Sequence, residues 1–281
     1  MASGRARAAA LCVSASLSFI FIFITGADFI RFVSFRAIYR NITGDSSSCR
    51  DDVSWRDALG DGAVLGPLAV DAGLLALFVA QHSLLAWAPV KRVYQSCLGV
   101  LSRAAYCSST ALALQILMRF WQPVHSAPCL WAVRDAPWSL WLPVLCFALH
   151  FLCWAVMCSI LLIFDYPELL GLKQVYYDLL GLGDPLSSKS PRAQRLFSHL
   201  RHPVCVELCV VLWFLPALPL DRLLLAGSLT AYLALAHSLD TEDLAYLAAQ
   251  FNRKLQLFAV PHGGGGGGGG GPQDSGDPKA E

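Results

Sequence analysis

The triplet Arg201-His202-Pro203 stands at the head of the apolar run VCVELCVVLWFLP, with Glu207 four residues past the proline. A proline suits the first turn of a helix, where its missing N–H would be unpaired anyway, and an arginine suits a helix end at a membrane surface. The triplet therefore reads as helix punctuation. The same guanidinium and imidazole also carry the donors needed to hold a charged or polar cofactor group. Further polar residues lie inside apolar runs. Asp71, Phe78 and His82 follow one another at helical spacing on one face, with Gln81 and Ser83 flanking the histidine. His150 falls in the middle of another run, and His237 and Asp240 close the last one, just before Glu242. Burying such groups in hydrocarbon is costly enough to suggest a purpose. Arg201, His202, Glu207, Asp240 and Glu242 are accordingly the candidate cofactor-binding residues, and Asp71, Gln81, His82 and His237 the candidate lining of a polar pocket. No residue is assigned a catalytic role.

Metal is not expected. The ten cysteines include no CxxC pair and no Cys/His ligand spacing, and most lie in apolar runs, where a thiol is usually a small core residue. A net charge of +1 provides no concentrated basic surface for nucleic acid.

The elements that must position these residues are membrane helices. Hydrophobic residues make up 56% of the chain and charged residues 15%, against about 25% charged in a soluble domain. The apolar residues gather into runs long enough to cross about 30 Å of hydrocarbon, which takes roughly 20 helical residues. The expected fold is all-α: a polytopic bundle of six transmembrane helices at about 9–30, 63–87, 104–120, 138–164, 204–220 and 222–239. The first run is too long for a signal-peptide core and lacks a clean cleavage site, so it is read as a retained span.

With the N-terminus on the cytoplasmic or nucleoplasmic side, that side receives thirteen of the 21 Lys and Arg residues and the other side eight, a bias that favours both termini facing in. Cys49 and Cys129 then share the lumenal side, where a disulfide could survive. Asn41-Ile42-Thr43, a glycosylation sequon, falls in the first lumenal loop. Two amphipathic helices, about 167–181 and 241–258, are expected at the interface, the first ended by Gly181, Gly183 and Pro185. The tail 261–281, with nine consecutive glycines, cannot bury a core and is expected to be disordered.

The stretches LFVAQHSLLA (77–86), FDYPELLGLKQVYYDLLGLG (164–183), SPRAQRLFSHLRHPVCVELCVVLWFLP (190–216) and LALAHSLDTEDLAYL (233–247) resemble the nurim family of multispanning inner-nuclear-membrane proteins. The likeness runs through the whole chain except the polyglycine tail. More distantly, residues 65–256 resemble methanethiol S-methyltransferases, and 190–247 resemble isoprenylcysteine carboxyl methyltransferases. In those enzymes an Arg-His-Pro-x-Tyr-x-Gly motif and a pair of acids after the next span help hold S-adenosylmethionine. Arg201, His202 and Pro203 match the first three motif positions, but Cys205 replaces the tyrosine and Glu207 the glycine. Of the acids, Asp240 keeps its place while Thr241 replaces the other, unless a two-residue shift brings in Glu242 and Asp243.

Two functions follow from the resemblance. One is a structural or no longer catalytic resident of the inner nuclear membrane, continuous with the endoplasmic reticulum, with no cofactor, with the lipid bilayer and unidentified nuclear-envelope proteins as partners. The other is an S-adenosylmethionine-dependent membrane methyltransferase acting on a lipidated or thiol substrate.

Overall fold

A computed structural model describes residues 2–42, 49–50, 52–191, 194, 204–236, 245, 248–253 and 255–256. The first helix, α1 (Ala2–Ile30), is apolar for most of its length. It passes through a π-helical turn, Arg31–Phe35, into α2 (Arg36–Ile42). The wide turn moves the side-chain register, so that Phe32, Val33 and Ser34 are all buried in succession. The short α3 (Trp55–Ala58) is capped by Ser54, whose hydroxyl oxygen accepts the Asp57 N–H. Asp61 caps α4 (Gly62–Ala86) in the same way through Ala63 N–H. Then follow α5 (Ala88–Leu98), α6 (Ser102–Phe120), α7 (Trp138–Ile163), α8 (Tyr166–Leu169), α9 (Leu172–Leu180), α10 (Cys205–Trp213) and α11 (Leu220–Ala236).

Four helical segments among the described residues are long and apolar enough to cross a membrane: Gly4–Tyr39, Gly62–Ala86, Ala88–Phe120 and Trp138–Ile163. Large apolar side chains such as Phe23, Phe151 and Leu235 point outward, 71%, 71% and 90% exposed, a surface suited to lipid rather than water. The described residues contain no strand, only an isolated bridge between Ala132 and Ala217. The chain is thus an all-α polytopic membrane protein. The expected fifth and sixth spans, 204–220 and 222–239, overlap α10 and α11, but α10 ends after nine residues, about 14 Å, and neither helix is among the four segments long enough to cross; residues 201–203 and 237–244 lie outside the described residues.

One core joins the π-helical turn to five other elements: Phe32 and Val33 pack with Leu75 of α4, Leu117 of α6, Met157 of α7, Val211 of α10 and Leu225 of α11. At one end of the bundle the loops are stitched together. Leu130 N–H donates to Leu218 O at 2.9 Å, Leu218 N–H donates back to Trp131 O at 2.9 Å, and Arg50 N–H donates to Ala127 O at 3.0 Å. Cys49 and Cys129 form a disulfide there, with Cα atoms 5.2 Å apart. A cystine persists in an oxidising compartment, so the pairing accords with a lumenal or extracellular setting for this end, opposite the end that holds the N-terminus.

At that N-terminal face the structure departs from the expected single helix over 167–181. Gly171 breaks it into α8 and α9, because its φ of +89° is open to glycine and closed to most side chains. The glycine is required by packing as well: a Cβ there would stand 2.5 Å from Ala104 N at the start of α6. Arg103 Nε donates to Leu169 O at 2.9 Å and clamps the same junction. Beneath it Glu168, 3% exposed, lies 2.9 Å from Lys189 Nζ and 3.6 Å from Lys173 Nζ, while Lys173 also donates to Asp165 at 2.8 Å. The hydrogen bond to Asp165 raises the Lys173 pKa above its ordinary value. Its stabilising contribution is therefore complete below the ordinary lysine value and is lost as pH rises through the raised one.

Gly171→Ala should destabilise the folded protein by about 1–3 kcal/mol, through positive φ and collision with α6 together. Thermal unfolding of the detergent-solubilised variant beside the parent measures this, and an unchanged melting temperature would contradict the close approach.

Candidate functional site

The polar residues inside the bundle separate into three groups stacked along the membrane normal. Asp71 and His82, on one face of α4, are eleven residues apart, about 16 Å along the axis. They consequently belong to different groups among the described residues, while His237, another candidate lining residue, lies outside them.

Toward the cystine end, α6 stops at Phe120 and the chain turns, leaving the Gln122 N–H to find an acceptor outside a helix. Asp71, 0% exposed, supplies it: Oδ1 accepts that N–H at 2.8 Å. Its Oδ2 is buried without a hydrogen-bond partner. Nearby, Trp121 Nε1 donates to Asp221 Oδ2 at 3.0 Å, and Arg222 Nε lies 3.8 Å from the same oxygen. The Arg222 guanidinium rests 4.3 Å from the centroid of the Phe32 ring, a cation–π contact that helps keep the charge within the bundle. This group ties α4 and the adjoining ends of α6 and α11 to the π-helical turn.

In the middle, His150 is 1% exposed and satisfied on both ring nitrogens. Nε2 lies 2.9 Å from Phe214 O and Nδ1 lies 2.9 Å from Ser34 Oγ, which is itself 2.9 Å from Trp154 Nε1. Because a carbonyl and an indole N–H each have one role, the protons are fixed by elimination. Nε2–H donates to Phe214 O, the Ser34 hydroxyl donates to Nδ1, and Trp154 N–H donates to the serine oxygen. The neutral imidazole thereby joins α7, the end of α10 and the π-helical turn. Every polar atom of this relay is engaged in holding helices, so His150 is a structural residue.

Toward the N-terminal face, His82 lies among aromatic rings: Phe78 stacked at 6.0 Å, Tyr106 at 5.6 Å and Tyr232 edge-on at 6.1 Å between centroids. The Tyr106 hydroxyl is 3.2 Å from His82 Nδ1, and Gln81 Nε2 donates to Ser109 Oγ at 3.0 Å. Ser83 Oγ is 3.4 Å from the Tyr232 hydroxyl. This half-buried group, shared by α4, α6 and α11, is the arrangement closest to a binding site among the described residues. Gln81 and His82, two of the candidate pocket-lining residues, lie in it. Tyr106 and Tyr232 do not stand out in the sequence, since a tyrosine inside an apolar run looks like any packing aromatic.

At the corner itself, Glu207 lies in the first turn of α10, half-buried. Arg201, His202, His237, Asp240 and Glu242 lie outside the described residues. Asn41 falls at the end of α2, with its side chain and Thr43 also outside them. Among the described residues no three His, Cys, Asp or Glu side chains converge on a metal site.

A helical bundle with outward apolar faces, a cystine at one end and polar groups spent on inter-helix bonds defines a class, the polytopic membrane proteins. Within it the chain belongs to the nurim family. It is 66% identical to nurim of Danio rerio over 264 residues, covering 94% of this chain and 96% of that one. It is 56% identical to nurim of Bos taurus and 55% identical to nurim of Homo sapiens, each over 242 residues, 86% of this chain and 92% of the relative. No family model matches the chain. No solved structure matches it either.

Replacing His150 with leucine should destabilise the protein by about 1–3 kcal/mol for each partner left buried and unpaired, Phe214 O and Ser34 Oγ. Chemical unfolding of the variant in detergent gives the number. If its stability equalled the parent's, the relay would hold nothing together.

Proposed function

We propose that this protein is a multispanning resident of the inner nuclear membrane whose Arg201-His202-Pro203 corner serves helix packing rather than methyl transfer. Residence in that membrane is what the nurim resemblance implies; the bilayer is its surrounding partner, and nuclear-envelope proteins are the class from which others would come.

The observation that carries the non-catalytic half of the reading is Glu207. Where the methyltransferase motif keeps a glycine, this chain places a half-buried carboxylate in the first turn of α10. Methyl transfer from a sulfonium is an in-line displacement, so the protein contributes mainly by shaping the cofactor's seat. A side chain at the point of close backbone approach fills that seat, and Cys205 removes the tyrosine hydroxyl of the motif. Glu207 and Cys205 at these positions support the reading that the corner does not hold S-adenosylmethionine.

Titrating S-adenosylmethionine into the purified protein and its His202→Ala variant should give no measurable binding to either. Micromolar binding that falls by about ten- to a hundredfold in the variant, as expected on losing a charge-assisted contact of roughly 1.5–3 kcal/mol, would instead support a membrane methyltransferase acting on a lipidated or thiol substrate.

The location has its own test. Residues 261–281 contain no apolar run and no basic cluster, so their deletion should leave a nuclear-rim distribution in fluorescence microscopy. Spread of the truncated protein through the peripheral endoplasmic reticulum would refute retention by the membrane bundle.

A further inference from the structure

The segment between α4 and α6 is a helix rather than a loop, and neither the packing core nor the candidate site uses it. Pro89 starts α5 within its first turn, and Gly99, at φ +53°, separates it from α6. Within the long segment Ala88–Phe120, which runs through α5 and α6, the 19 residues of α6 alone span about 28 Å, enough for the hydrocarbon, so α5 need not cross it. Since α4 reaches the N-terminal face and α6 departs from it, both ends of α5 are held at that face.

The helix is amphipathic. Around its axis Val90, Val93, Tyr94 and Leu98 share one half, and Lys91, Arg92, Gln95 and Ser96 lie on the other. None of its residues is buried. Val93 is 65% exposed, Leu98 44%, and Trp87, just before the helix, 60%. Lys91 and Arg92 are both exposed. Residues 72–134 contain no Asp or Glu, so no acidic neighbour in sequence offsets Lys91, Arg92 and Arg103 on this face.

We propose that α5 lies in the plane of the membrane and binds anionic phospholipid headgroups of the leaflet on the N-terminal side. Its apolar half, with Trp87 just before it, presents exposed Val93 and Leu98 to the acyl boundary in that placement. Lys91 and Arg92 then stand at headgroup level, where their charge meets phosphatidylserine or another acidic lipid. This inference is independent of whether the Arg201 corner binds a cofactor.

The test uses the full chain in mixed micelles of neutral detergent, phosphatidylcholine and phosphatidylserine, with the co-purifying lipids quantified by mass spectrometry. The parent should enrich phosphatidylserine over its bulk fraction, and high salt should weaken the enrichment. Lys91→Gln with Arg92→Gln should reduce it by about fivefold per basic residue, with phosphatidylcholine retention unchanged. Lys91→Arg with Arg92→Lys should keep it, and Arg119→Gln, at the cystine end, should leave it as in the parent. Undiminished enrichment in the double glutamine variant, its loss in the charge-conserving variant, or an equal loss in Arg119→Gln would each overturn the proposal.

Discussion

Inside hydrocarbon a polar group has no water to turn to, and the bundle is organised by that constraint. The relay from Trp154 through Ser34 and His150 to Phe214 O is its clearest expression. The π-helical turn delivers Ser34 inward beside Phe32 and Val33, α7 brings His150 and Trp154 one turn apart, and α10 ends with a carbonyl that needs a donor. Each group satisfies another's need, so the three elements are fixed in register as well as in contact. Apolar packing alone would hold them together less specifically, because lipid tails compete on nearly equal terms with leucine side chains.

The same logic recurs at both ends with different partners. Toward the cystine face, the Gln122 N–H left over by the end of α6 is taken by Asp71, and the Trp121 indole by Asp221. At the N-terminal face, loops rather than spans carry the polar load: Arg103 clamps Leu169 O, and Glu168 is enclosed by two lysines. Gly171 makes that enclosure possible, since only a residue without a side chain lets α8 and α9 close on α6. Polar side chains in the membrane of this nurim-family protein thus join helices more than they line a cavity. The aromatic surround of His82 also joins α4 to α6 and α11, through Gln81–Ser109, His82–Tyr106 and Ser83–Tyr232, but it does so in a half-buried setting ringed by aromatic side chains.

What the sequence determined by itself is the class of fold, because span length and apolar content answer directly to bilayer thickness. The long runs at 9–30, 63–87, 104–120 and 138–164 correspond to helices Ala2–Ile30, Gly62–Ala86, Ser102–Phe120 and Trp138–Ile163. The Cys49–Cys129 bond was open to the sequence only as a shared side of the membrane; the pairing came from loops brought together by Leu130, Leu218 and Arg50. Only the tertiary structure decided which polar residues meet. Helical periodicity places Asp71 and His82 on one face, yet their separation along the axis sends them to different neighbours. Periodicity records angle around a helix, whereas partners depend on depth in the membrane and on which helix lies alongside. For the same reason α5 was hidden: its eleven residues are too short and too mixed to register as a span, and its amphipathic face acquires meaning only when α4 and α6 hold both its ends at one surface.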